Sequence, residues 1–230
     1  CVKALDLTNS SVTDQDVNHI LHLYHNLTSL NLSNTDVTGS WLAKVSNSKL
    51  QKINLSNCQK LDLQSLNILL PNVEMLEELD LSHTMVTGEE LLEVDLSKMK
   101  SINLSHCDQL HEYHLITLFT QFGELREVDL SFTSTTGEAI KKLNLKQLER
   151  LVLRGCEELK LPELEKLLSE AFLRALDLSG TKISGKELLA LNLEILEQLD
   201  FYNCPNLERE HVENFFELAK GSKNLIHPER

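Results

Sequence analysis

Four cysteines and two histidines are the side chains of this chain best suited to bind a metal, exchange electrons or attack a substrate. Cys58, Cys107, Cys156 and Cys204 each stand five residues after the start of an apolar core, at Ile53, Ile102, Leu151 and Leu199. On stacked parallel strands such residues recur on every second strand, roughly 10 Å apart. That is beyond the reach of a disulfide, so all four are expected as free thiols that pack as small hydrophobes with a weak donor. A metal site needs Cys or His a few residues apart or facing one another, and the cysteines offer neither arrangement. His83 and His106 do share one register on adjacent repeats, near Asp80, Asn103 and Asp129. Two imidazoles about 5 Å apart beside a carboxylate could hold zinc or change charge with pH. A solvated polar pair is the plainer reading, and neither a metal nor another cofactor is assigned.

Catalysis requires groups that converge where water is excluded and a pKa can shift. The sequence has no Gly-x-Ser-x-Gly, no His-Glu-x-x-His, no phosphate loop and no cysteine beside a base in a recognisable setting. The recurring Thr38-Gly39, Thr87-Gly88, Thr136-Gly137 and Ser184-Gly185 pairs lack the remainder of a phosphate loop. No catalytic residue is assigned, and the chain reads as a non-enzyme, leaving aside any activity carried by another part of a longer protein.

What positions these residues is a repeat. Apolar-x-apolar cores begin at Leu5, Leu30, Ile53, Leu79, Ile102, Val128, Leu151, Leu176 and Leu199, so the underlying unit is a pair of unequal repeats spanning 48 or 49 residues. Such a period means a solenoid, in which each turn buries its face only against its neighbours. The similarity runs unbroken from Leu5 to Phe201 and no stretch is rich in Ser, Gly or Pro. Residues 1–230 therefore read as one domain, with repeats over about 2–209 and a terminal helix over about 210–220. The opening residues, Cys1 to Leu7, are already repeat sequence. That points to an excised fragment, because terminal repeats normally carry a sealed outer face.

Period-two alternation turns the leucines inward and the Asp, Asn and Ser residues to the opposite face. The longer repeats leave room for helices over 63–70, 112–122 and 162–171. The shorter ones hold a single turn, 89–93 or its equivalents, before a second extended segment such as Val94-Asp95-Leu96. Thr87-Gly88-Glu89-Glu90 and Ser184-Gly185-Lys186-Glu187 read as capping boxes. Residues 211–220, with Val212, Phe215, Phe216 and Ala219 on one side, read as a helix that covers the last strand.

Each strand core continues with Ser and, two residues later, Cys or Thr, as in Ile53-Asn54-Leu55-Ser56-Asn57-Cys58 and Leu79-Asp80-Leu81-Ser82-His83-Thr84. This resembles the leucine-rich repeat, Leu-x-x-Leu-x-Leu-x-x-Asn/Cys, over nearly the whole chain. The longer repeats resemble the cysteine-containing class found in F-box proteins. The first has Ser10 in the cysteine's place, yet its Val12-Thr13-Asp14 matches the Ile-Thr-Asp of that class; Cys58-Gln59-Lys60-Leu61-Asp62 lacks it. The resemblance implies an α/β fold: a right-handed solenoid, or horseshoe, with about nine parallel strands on the concave face and helices alternating with short turns on the convex face. It also implies a protein partner docked on the concave sheet. Narrower alternatives are the substrate-recognition part of an F-box-type ubiquitin ligase adaptor, or a bacterial effector delivered into a host cytosol, which the near-identical short units suit.

A formal net charge of -13 disfavours nucleic acid and anionic membrane, whose binding requires clustered Lys and Arg. A basic protein ligand fits better, although acidic outer helices also serve solubility alone. No run of 18 apolar residues and no targeting signal is found. Asn-x-Ser/Thr triplets begin at Asn9, Asn26, Asn31, Asn54 and Asn103, and a glycan at the last three would project from tightly stacked strands. With unpaired thiols, this favours a reducing, intracellular and cytoplasmic setting. A monomer is expected.

The residue between the two core leucines forms a column, Asp6, Asn31, Asn54, Asp80, Asn103, Asp129, Val152, Asp177 and Asp200, in which Asn spares like-charge repulsion across strands. Two further columns read Thr8, Ser33, Ser56, Ser82, Ser105, Ser131, Arg154, Ser179, Tyr202 and Asn9, Asn34, Asn57, His83, His106, Phe132, Gly155, Gly180, Asn203. Departures from Ser and Asn inform about use rather than fold. Phe132, Arg150, Val152 and Arg154 depart together, and apolar groups beside arginine on an exposed sheet have the composition of an interaction hot spot. The candidate protein-binding surface therefore runs from His83 and His106 through Phe132, Arg150, Val152 and Arg154 to Tyr202.

Overall fold

The computed structural model describes residues 2–41, 49–70 and 73–221; Cys1 and the end of the proposed single domain lie outside them. Nine three-residue strands form one parallel sheet in chain order: β1 (Ala4–Asp6), β2 (Ser29–Asn31), β3 (Lys52–Asn54), β4 (Glu78–Asp80), β5 (Ser101–Asn103), β6 (Glu127–Asp129), β7 (Arg150–Val152), β8 (Ala175–Asp177) and β9 (Gln198–Asp200). Register never slips. Leu5, Leu30, Ile53, Leu79, Ile102, Val128, Leu151, Leu176 and Leu199 are successive partners across the sheet.

A second apolar residue two places on, Leu32, Leu55, Leu81, Leu104, Leu130, Leu153 and Leu178, is fully buried in each case. The two rows make one continuous core along the solenoid. Each such leucine contributes about 1.5–3 kcal/mol through burial, and a one-residue slip would turn a whole row outward.

The opposite wall alternates as the repeat lengths require. Helices α1 (Asp14–Leu23), α2 (Leu63–Leu69), α3 (Glu112–Leu118) and α4 (Leu161–Glu170) follow the longer repeats, and short 3-10 turns at Glu89–Leu91, Ile140–Lys142 and Glu187–Ala190 follow shorter ones. Helix α3 stops four residues before the expected 122. Beyond it the chain turns so that Phe119 and Phe122 both enter the core, 5.7 Å between rings, while Gln121 Nε2 donates to the Leu92 carbonyl at 2.8 Å. The expected extended segment Val94-Asp95-Leu96 joins no sheet. Val94 and Leu96 are buried and Asp95 accepts the Ser97 N–H at 3.0 Å, a bond that holds its carboxyl below the usual range. Helix α5 (Arg209–Ala219) begins two residues before the expected 211. Its Phe215 and Phe216 rings lie 6.2 and 6.4 Å from that of Phe201.

The short turns are capped in two ways. In the fourth repeat Glu90 accepts from the N–H groups of Thr87 and Gly88, both at 3.0 Å, and from the Thr87 hydroxyl. Glu187 does the same for Ser184 and Gly185 in the eighth. The second and sixth repeats have Trp41 and Ala139 where that glutamate would stand, and a carboxylate from the preceding repeat replaces it. Asp14 accepts from Thr38 and Gly39, and Glu112 accepts from the N–H groups of Thr136 and Ala139 at 3.0 and 2.9 Å. Both arrangements satisfy the free amides at the start of a turn.

The cysteines complete the packing between repeat pairs. Carbonyls of Leu32, Leu81, Leu130 and Leu178 each receive a threonine hydroxyl, from Thr35, Thr84, Thr133 and Thr181, at 2.5–2.6 Å. Each also receives a thiol of the next repeat, from Cys58, Cys107, Cys156 and Cys204, at 3.0–3.2 Å. These four cysteines, the ones among the described residues, are free and buried, and burial pushes Cys156 up to about 11. Buried neutral thiols are poor nucleophiles. Ser10 makes the corresponding bond within its own repeat, to the Leu7 carbonyl at 2.6 Å.

Candidate docking surface

The concave columns are a hydrogen-bonded ladder. The side chains of Asp6, Asn31, Asn54, Asp80, Asn103, Asp129 and Asp177 each accept the backbone N–H two residues on, at 2.8–3.0 Å. Asn54 and Asn103 donate across the strands to Asp80, at 3.4 and 3.3 Å, which is how amide rungs relieve repulsion between acidic ones. The Ser column is largely buried, with Ser33, Ser82, Ser105, Ser131 and Ser179 all below one-tenth exposed. A large side chain in that column has to project.

Arg154 and Tyr202 are the two that do. Arg154 lies half exposed and reaches across to β8, its Nε and Nη2 at 2.9 and 2.8 Å from Asp177 Oδ2. Tyr202 is 47% exposed, and its N–H donates to Ser179 Oγ rather than to Asp200. Among the described residues Asp200 is consequently the one aspartate of the column whose carboxylate accepts no hydrogen bond.

The neighbouring column has a conformation of its own. Asn9, Asn34, Asn57, His83, His106, Phe132 and Asn203 all have φ between 54° and 58°, and Gly155 and Gly180 stand at 66° and 69°. Gly and Asn, and to a lesser degree His, tolerate left-handed backbone, whereas a bulky side chain such as Phe is held there at a cost of about 1–2 kcal/mol. His83, His106 and Phe132 occupy it on three consecutive strands and their rings stack. His83 and His106 lie 4.1 Å apart at 13°, His106 and Phe132 4.3 Å apart at 21°. Phe132, 45% exposed, leans onto the next repeat, into the space a side chain at Gly155 would need.

No protein-family model and no curated protein sequence matches the chain. Solved structures do. The leucine-rich repeat-containing protein LegL7 from Legionella pneumophila aligns over 88% of this chain and 74% of its own, with 16% identity and a TM-score of 0.60. An internalin from Listeria monocytogenes aligns over 93% and 64%, with 18% identity and a TM-score of 0.62. TLR13, in a complex with ssRNA13, aligns over 87% and 29%, with 21% identity and a TM-score of 0.61. The fold is a leucine-rich repeat horseshoe. The chain spans less than two thirds of the internalin and under a third of TLR13.

In leucine-rich repeat terms, the expected surface divides. His83, His106 and Phe132 form one continuous stack, Arg154 stands on the adjacent strand with Asp177, and Tyr202 projects three strands beyond Phe132. Arg150 begins β7, away from the stack at the strand's far end, and makes no ion pair among the described residues. Val152 corrects the expectation of an exposed apolar anchor. It is 7% exposed, in register with Asp129 on one side and Asp177 on the other, and offers a partner almost no area. The histidines face one another as parallel plates rather than converging on a point, and no group of three or more His, Cys, Asp or Glu among the described residues could hold a metal ion. Burial, and then the nearby His83, lower the pKa of His106. Among the described residues no helix is long and apolar enough to cross a membrane. Asp177 joins this surface through its pair with Arg154, Asp200 through the rung it lacks, and Gly155 through the Phe132 ring that leans over it; column composition alone carries no signal of these.

Proposed function

We propose that this chain is a non-enzymatic scaffold that docks a protein partner on its concave sheet, with repeats four to nine forming the docking patch from His83 and His106 through Phe132 and Arg154 to Tyr202. The ring stack carries this reading. Phe132 stands in left-handed backbone where the Asn or Gly of its column would be relaxed, with His106 and His83 stacked beside it, and strain of this kind clusters at functional positions. Exposed aromatic and arginine side chains are also the residues that dominate interface energies. The acidic columns favour a basic protein segment over nucleic acid or an anionic membrane. The test is affinity capture from cell lysate with wild type and a Phe132→Ser, Arg154→Ser double variant. Partners lost from the variant support the patch, and identical partner lists remove it.

The four reduced, buried thiols support a finer reading, a cysteine-containing repeat working in a reducing, cytoplasmic setting. Within it the chain serves as the substrate-recognition part of an F-box-type ubiquitin ligase adaptor or of a bacterial effector. An F-box encoded upstream supports the first and a secretion signal the second. The reading also takes the chain as one domain and a monomer, which a single cooperative unfolding transition and concentration-independent light scattering check.

A further inference from the structure

We infer that the patch selects arginine: a guanidinium of the bound segment stacks beyond Phe132, over the bare backbone of Gly155 and Gly180, with the acidic concave columns as its counter-charge. This deepens the concave-sheet docking proposed above and rests on it. A Cβ at Gly155 would stand 2.5 and 2.6 Å from Cδ1 and Cε1 of Phe132, so that place in the column is taken by the ring. A Cβ at Gly180 meets only the backbone N and Cα of Gly155, at 3.5 and 3.6 Å. The column is therefore open between the ring and Asn203. Gly155 and Asn203 are two strands apart, roughly 10 Å. A flat group in contact on both sides needs about 3.5 Å on each, so the opening admits one such group and no more.

Charge decides which one. Strands β6 to β9 present Glu127, Asp129, Asp177 and Asp200 against Arg150 and Arg154, and Arg154 is already paired with Asp177. Asp200, beside the opening on β9, keeps a carboxylate free for a new donor, because the Tyr202 N–H is turned to Ser179. Guanidinium is flat, cationic and rich in donors, and it stacks on aromatic faces. A lysine ammonium has no face to stack, an aromatic side chain leaves the carboxylates unanswered, and a nucleotide brings phosphate to an acidic surface.

Three labelled peptides of equal length, with Arg, Lys or Trp at the same positions of a Gly-Ser background, test this by fluorescence anisotropy on the full chain. The arginine peptide is expected to bind about tenfold more tightly than the lysine peptide, the scale of a partly desolvated cation–π contact. Phe132→Asn and Gly180→Asn should each abolish that preference. Both install the residue this column already uses at positive φ, and unchanged thermal unfolding will show that the fold is kept. Equal binding of arginine and lysine peptides, tightest binding of the tryptophan peptide, or a preference that survives both variants would overturn arginine selection. Any of these results combined with partners lost from the Phe132→Ser, Arg154→Ser variant leaves docking standing without arginine selection; unchanged partner lists remove both.

Discussion

Strands β2 to β5 and strands β6 to β9 share one core and differ on one face. In the first group every rung of the ladder is present, with Asn31, Asn54, Asp80 and Asn103 each holding the N–H two residues on. In the second group only Asp129 and Asp177 do so. Val152 has no acceptor to offer, and Asp200 is bypassed. Beside them, Ser179 Oγ accepts the Tyr202 N–H in place of Asp200, and the Arg154 side chain reaches Asp177. The two lapses fall where Arg154 and Tyr202 stand in the Ser column, whereas His83, His106 and Phe132 project beside intact rungs at Asp80, Asn103 and Asp129.

A shared core makes equal demands on both halves. Leu81→Ala and Leu178→Ala, both fully buried, should each lower stability by about 2–5 kcal/mol in urea unfolding. A large inequality would mean that the two halves are packed differently. The rungs come next. Asp80→Ala orphans the Ser82 N–H and two cross-strand amides and should cost about 1–3 kcal/mol. Asp200→Ala, which breaks no hydrogen bond, should stay within about 0.5 kcal/mol.

The divide is confined to the concave face, because convex caps of both kinds occur in both halves. Glu112→Leu should cost about 1–2 kcal/mol by freeing the Thr136 and Ala139 amides. Adding Ala139→Glu, which copies the arrangement at Glu90, should recover most of the loss in thermal unfolding. Failure of the pair to recover would show that the two caps are not equivalent.

The smallest effect concerns pH. His106, facing His83 and Phe132 and near Asp108 and Asp129, has a folded pKa lowered from 6.5. The unfolded chain therefore takes this proton more readily, so stability should fall as pH drops through about 6.5 and level off below the folded pKa. His106→Asn should flatten that part of the profile, measured by denaturant midpoints between pH 7.5 and 5.

Much of this was legible in the sequence. Nine register positions, the Thr and Cys columns and the alternation of helix with turn all follow from apolar spacing and repeat length. The Asn and Gly of the third column are the residue types of left-handed backbone, so its conformation was legible too. The stacking of His83, His106 and Phe132 was not, since it depends on rotamers and on a lean that only Gly155 permits. Nor was the burial of Val152, which period two alone assigns to an open face but which its flanking strands enclose. The caps supplied from a preceding repeat had a faint signal. Glu112 stands five residues after Cys107, where Leu63 and Leu161 follow Cys58 and Cys156, yet its bond to a turn 24 residues on exists only in three dimensions.

The most direct test places a photocrosslinking side chain at position 203 or at position 34, two exposed asparagines of one column with φ of 54° and 55°, in the ninth and second repeats. With an arginine-bearing partner bound, adducts should form from position 203 and not from position 34. Adducts from position 34 alone, or equally from both, would contradict a docking patch at the irregular end of the sheet.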